Sequence, residues 1–109
     1  MIPYTNPDDF RSTIATAETP VLVQFSADWC GPCRAIAPLM NQAADAYAGR
    51  VQILKIDLDA CKDIAEENQV TSIPALILFK HGVAVERFTQ ARTLSRLSAF
   101  LDQHLGEIS

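Results

Sequence analysis

The sequence predicts an α/β fold in which a central mixed β-sheet is flanked by helices on both faces. Three observations predict it. Short apolar runs alternate with stretches of helical periodicity, which implies parallel pairing through helical crossovers. The chain then closes on a hairpin and a last helix, which adds an antiparallel portion. Finally, its 109 residues are 49% hydrophobic, which suits one domain over residues 1–109 with one core and no need of structural cross-links.

Each element has a local reason. Asn6 can cap a first helix, with Pro7 at its first position and Asp8 and Asp9 in its first turn. Phe10 and Ile14 share a face of it. Val21-Leu22-Val23-Gln24-Phe25 is a short apolar run, expected as a buried strand. After Cys30-Gly31-Pro32-Cys33, the residues Ile36, Leu39, Met40, Ala43, Ala44 and Tyr47 repeat at helical spacing up to Gly49. Pro38 lies inside that helix and is expected to kink it. Val51, Ile53 and Ile56 mark a second strand ending near Asp57, and Asp59 is expected to cap a short helix through Ala65. Pro74–Phe79 is a third strand, and His81-Gly82 turns it into Val83–Phe88. Thr93 can cap the last helix, where Leu94, Leu97, Leu101 and Leu105 share a face with Phe100.

Composition narrows the function. A net charge of -4 argues against nucleic acid or an anionic membrane as partner. No apolar run approaches the roughly 18 residues needed to cross a bilayer. No secretory signal is visible at the start, so a cytoplasmic protein is expected. Three cysteines, Cys30, Cys33 and Cys61, cannot all pair within one chain, so they read as chemistry rather than as disulfide architecture. Nothing suggests more than a monomer.

The chemistry is expected at Cys30-Gly31-Pro32-Cys33, where a strand's carboxyl end enters a helix. Cysteines three apart at a helix start lie on one side of the first turn and can close a disulfide. Cys30 meets the free N–H groups and positive dipole end of the helix, which favour its thiolate. Gly31 is expected to allow a tight turn and Pro32 to fix a helical φ. Cys33, one turn in, should be less exposed. Cys30 is then the nucleophile on a partner's disulfide, and Cys33 the resolving thiol that releases the reduced partner. The same spacing is also half of a zinc site. Two further ligands would have to come from Cys61, His81 and His104, none of them in a paired spacing. An inert pair is the third reading.

The stretch Phe25-Ser26-Ala27-Asp28-Trp29-Cys30-Gly31-Pro32-Cys33-Arg34 resembles the active-site stretch of the thioredoxin family. Ile36-Ala37-Pro38, Lys55-Ile56-Asp57, Ile73-Pro74 and Phe79-Lys80-His81-Gly82 match further motifs of that family in order, so the resemblance covers essentially the whole chain. It implies the thioredoxin fold and a protein-disulfide reductase that needs no cofactor or metal beyond its own Cys30–Cys33 pair. It implies disulfide-containing client proteins as partners, and a flavoprotein thioredoxin reductase or another dithiol as electron donor. Pro74 would be cis and lie against the cysteines. The backbone of Ile73 would pair with an extended client, and Trp29 and Ile73 would form an apolar rim; for Trp29 the alternative is ordinary core packing.

Two positions depart from the family pattern. Most members have a buried Asp where this chain has Gln24, which cannot take a proton. Resolution by Cys33 would then be slower, or would use water or another base, and Lys55 would lack its usual acidic neighbour. The alternative is a hydrogen-bonded buried amide and unassisted exchange. Gln90 stands where the family has Gly on its docking surface, so it either narrows the partner set or is a tolerated surface change. Some animal members carry a cysteine at the place of Cys61, linked to regulatory oxidation. Its position near a helix start could lower its pKa; the alternative is a quiet small residue. The rivals to a general reductase are a redox carrier dedicated to one client and a binding module whose cysteines are dispensable. A disulfide-forming oxidant fits less well, because Gly31-Pro32 is the pair that reductants carry.

Overall fold

A computed structural model describes residues 2–89 and 93–105. In chain order the elements are α1 (Pro7–Thr16), β1 (Val21–Ser26), α2 (Gly31–Ala46), β2 (Gln52–Asp57), α3 (Lys62–Glu67), β3 (Ala75–Lys80), β4 (Val83–Phe88) and α4 (Leu94–Leu105). The strands form one sheet in the order β2-β1-β3-β4. β1 pairs parallel with β2, and β3 pairs antiparallel with both β1 and β4.

Every residue of β1 is buried, because helices cover both faces of the sheet. Alternation along the strand sends Val21, Val23 and Phe25 to one face, where they pack with Phe10 of α1, Ile64 of α3, and Ile77 and Phe79 of β3. Leu22 points to the other face and packs with Met40 and Ala43 of α2, Leu76 and Leu78 of β3, and Leu97 and Leu101 of α4.

Local chemistry sets the ends. The Asp9 N–H donates to the Asn6 side chain at 2.8 Å, capping α1. Thr93 Oγ1 accepts from the Arg96 N–H at 3.1 Å at the start of α4. His81 and Gly82 both take positive φ, at 54° and 81°, as a two-residue hairpin turn matched to strand twist requires. α2 runs on through Pro38 and ends at Ala46, with Tyr47 as its C-cap; Gly49, at φ 83°, belongs to the turn beyond it.

The start of α3 differs from expectation. It begins at Lys62 with Cys61 as N-cap, and Asp59 caps nothing. The Asp59 N–H instead donates to Asp57 Oδ1 at 3.0 Å, so Asp57 organises the turn and Asp59 is free for another task. Pro74 likewise lies outside β3, which starts one residue later. No helix among the described residues is long and apolar enough to cross a membrane.

Candidate active site

β1 ends at Ser26, and the chain crosses Ala27, Asp28 and Trp29 to reach Cys30, the N-cap of α2. Cys30 and Cys33 are joined in a disulfide, three positions apart in sequence with Cα atoms 5.3 Å apart. The Cys33 N–H donates to the Cys30 sulfur at 3.2 Å. That N–H belongs to the first turn of the helix, where backbone donors have no partner within the helix. A negative sulfur at Cys30 would therefore gain both a hydrogen bond and the helix dipole. Cys30 and Cys33 are 4% and 2% exposed, so the expected contrast in burial is slight.

Gly31 corrects one expectation. It does not take positive φ, and a Cβ added there would meet nothing within 4 Å. The turn into α2 is an ordinary helix start that does not require glycine. Pro32 occupies the first turn of α2, where no backbone donor is missed.

Three further side chains frame the pair. Ile73 packs on Ala27, Cys30 and Cys33, and the Ile73–Pro74 peptide bond is cis. Trp29 is 63% exposed rather than packed in the core, and its indole N–H donates to Asp59 Oδ2 at 2.8 Å. That bond holds a large exposed ring beside Cys30. On the other side, Pro32, Ile36, Pro74, Leu76 and Phe88 line an apolar groove of about 350 Å³. Gln90 falls outside the described residues; Thr89, just before it, also lines the groove.

Gln24 lies on β1 and Lys55 on β2. They face each other in the β1–β2 register. Gln24 is 2% exposed, and its amide nitrogen has no protein hydrogen-bond partner among the described residues. A cavity of about 20 Å³ lies against it, bordered by Ile2, Ala37, Met40, Asn41 and Lys55. Its size suits a single water. Lys55 carries its ammonium 4.7 Å from the centroid of the Tyr4 ring. With an amide opposite, the cation is held by an aromatic face in place of a carboxylate.

Cys61 lies apart, buried in the core against α1 and α3. Burial pushes its thiol pKa up, and the negative charge of Asp57 adds to that. Desolvation outweighs the helix start, so the lowered pKa that the sequence suggested is corrected. A raised pKa keeps the thiol protonated to higher pH. In the reduced protein, iodoacetamide is therefore expected to label Cys30 before Cys61, with Cys61 labelling only above the ordinary cysteine range. A mass-spectrometric time course checks this; Cys61 reacting first would contradict it. Among the described residues no three His, Cys, Asp or Glu side chains converge as metal ligands.

Sequence reasoning missed Asp59 as the tether of Trp29, and it drew nothing from Ser26, Tyr4 and Asp28 beside the pair. The two hydrogen bonds that reveal them, Trp29 to Asp59 and Tyr4 to Asp28, join residues 30 and 24 positions apart.

Comparison with known proteins agrees with this geometry. A family model described as Thioredoxin matches residues 1–103. The chain is 44% identical over 101 residues to Thioredoxin C-2 of Corynebacterium nephridii, covering 93% of this chain and 94% of that protein. It is 38% identical over 102 residues to a thioredoxin of Acidithiobacillus ferridurans, covering 94% of each. It is 36% identical over 102 residues to a thioredoxin of Haemophilus influenzae, covering 94% of this chain and 95% of that protein.

Proposed function

The chain belongs to the thioredoxin family, and on that premise we propose that Cys30 attacks a client disulfide and Cys33 resolves the intermediate. The family's activity makes it a thiol–disulfide oxidoreductase that reduces protein disulfides, with its own cysteine pair as the redox couple. The observation that carries the residue roles is the Cys33 N–H donating to the Cys30 sulfur at the start of α2. It favours thiolate at Cys30 and so favours Cys30 as the attacking sulfur.

The cycle balances without an added cofactor. The Cys30 thiolate attacks one sulfur of the client disulfide, and the other client sulfur leaves with the electron pair and takes up a proton. Cys33 then gives up its proton and attacks Cys30. A Cys30–Cys33 bond forms, and the second client sulfur leaves and is protonated. The client has gained two electrons and two protons, and the carrier has lost them. A flavoprotein thioredoxin reductase, or another dithiol, restores the pair, placing the protein in electron transport and redox homeostasis.

Client binding falls to Trp29, Ile73, Pro74 and the apolar groove, with Gln90 at its border in sequence. The backbone of Ile73 offers an edge to an extended peptide, and Gly31, without a side chain, leaves clearance for it. Trp29, Gly31, Pro32, Gln24 and Lys55 support the cysteines. The protein works as one domain, as a monomer, in the cytoplasm.

The test is reduction of insulin by the protein recharged with dithiothreitol, beside a Cys30→Ser control. The expected result is fast turnover that falls to the dithiothreitol background in the control. Slow turnover by a folded, reducible protein would move the role to a dedicated carrier or a binding module.

A further inference from the structure

An opening reaches Cys33 from the far side of α2. Pro32, Ala35 and Ile36 face the apolar groove, whereas Cys33, Arg34, Ala37 and Asn41 face a separate crevice of about 520 Å³. At helical periodicity these two sets lie on opposite faces of the helix. Ser26, Tyr4, Asp28 and Lys55 complete the crevice wall. The crevice and the small cavity at Gln24 share Ala37, Asn41 and Lys55.

Among the polar groups of this wall are Ser26, Tyr4 and Asp28, with Tyr4 and Asp28 hydrogen-bonded to each other. Ser26 is 3% exposed and shares the crevice wall with Tyr4 and Cys33. The Tyr4 hydroxyl donates to Asp28 Oδ1 at 3.1 Å, and Asp28 is exposed. The charged and titratable groups here are Tyr4 from the N-terminal segment, Asp28 from the loop after β1, Arg34 from α2, and Lys55 and Asp57 from β2. Of these, only Asp28 is a carboxylate that both lines the crevice and bonds Tyr4. Gln24 and Asn41 are neutral amides, and Lys55 offers donors only.

We propose that Ser26, Tyr4 and Asp28 form the exit for the Cys33 proton, with Asp28 as a positioning residue standing in for a buried carboxylate at position 24. The proposal rests on the assignment of Cys33 as the resolving thiol. In the resolving step the Cys33 S–H bond breaks, and its proton passes to oxygen in the crevice, toward the Asp28 carboxylate and on to solvent. The electron pair left on Cys33 forms the bond to Cys30. The bond from Cys30 to the client breaks, and its pair leaves on the client sulfur, which is protonated by water.

The test uses the reduced protein and dithiobis-nitrobenzoate, whose coloured thiolate is released once on attack by Cys30 and once on resolution by Cys33. Stopped-flow absorbance separates the two phases. Asp28→Asn is expected to leave the first phase unchanged and slow the second about tenfold. That lies below the range of a directly placed acid or base, because intervening oxygens carry the proton. Tyr4→Phe slows the second phase less, and Asp28→Glu restores most of the rate. The deficit closes at alkaline pH, where Cys33 ionises unaided, and shrinks in a Gln24→Asp background, where a second acceptor is present. A second phase unaffected by Asp28→Asn, a proportional slowing of both phases, or a deficit that persists at every pH overturns the relay. Release of both thiolates by Cys33→Ser is a separate failure, of the resolving role itself.

Discussion

Replacing Cys33 by serine is expected to stop turnover and to leave the client covalently attached at Cys30. Serine keeps the size and a polar atom but supplies no sulfur to attack the mixed disulfide. The first exchange still occurs, because the N–H of residue 33 belongs to the backbone and continues to point at the Cys30 sulfur. The stalled complex should appear as the summed mass of protein and client, and dithiothreitol should release it. Without dithiothreitol, release of reduced insulin by the prereduced variant should fall to background. A variant that turns over without accumulating the complex would show that resolution comes from a second thiol, external or internal, and Cys61 would then be the next residue to replace.

Phe25→Ala is expected to cost about 3–5 kcal/mol of folding stability, the usual range for removing a fully buried phenylalanine. Phe25 is 0% exposed and sits in the sheet's central region, between β2 and β3. It packs on the core face shared by α1 and α3. Natural domains have about 5–15 kcal/mol in hand, so this one change consumes a large part of it. Urea unfolding at unchanged slope measures the loss. The conservative Phe25→Leu variant should lose much less. A loss under about 1 kcal/mol for the alanine variant would mean that the core closes over the space. Because the strand leads directly into Asp28, Trp29 and Cys30, catalytic geometry is expected to loosen before the domain melts.

Much of the framework was legible in the sequence, for local reasons. The Asn6 cap, the His81-Gly82 turn and the apolar run of β1 depend on residues within a few positions of one another. The expectation for Asp59 was also local, and there locality misled. An Asp before a short helix looks like a cap, but the helix starts at Lys62 with Cys61 in the cap position, and the Asp59 carboxylate holds Trp29 instead. The environment of Cys61 failed for a related reason. A helix start is visible in sequence, while the burial that outweighs it comes from α1 and the sheet. The cis bond at Pro74 and the place of Ile73 came from family resemblance and not from spacing. Ser26, Tyr4 and Asp28 carried no signal as a group, because Tyr4 comes from the N-terminal segment and meets the others only when it bridges to Lys55 on β2.

The cysteine bond closes a ring of only a few residues, with a sequence separation of three. Loop-entropy arguments credit so short a ring with only about 2 kcal/mol, less than half the value for a loop spanning a domain of this size. Opening it therefore removes about 2 kcal/mol and leaves the larger share of a typical domain's stability in place. The one covalent difference between the charged and the spent carrier is that bond, buried at the start of α2. A donor meeting the spent form finds a sulfur–sulfur bond there, and a client meeting the charged form finds a free thiol. Traffic in both directions thus has one chemical mark to read, at the sulfurs themselves.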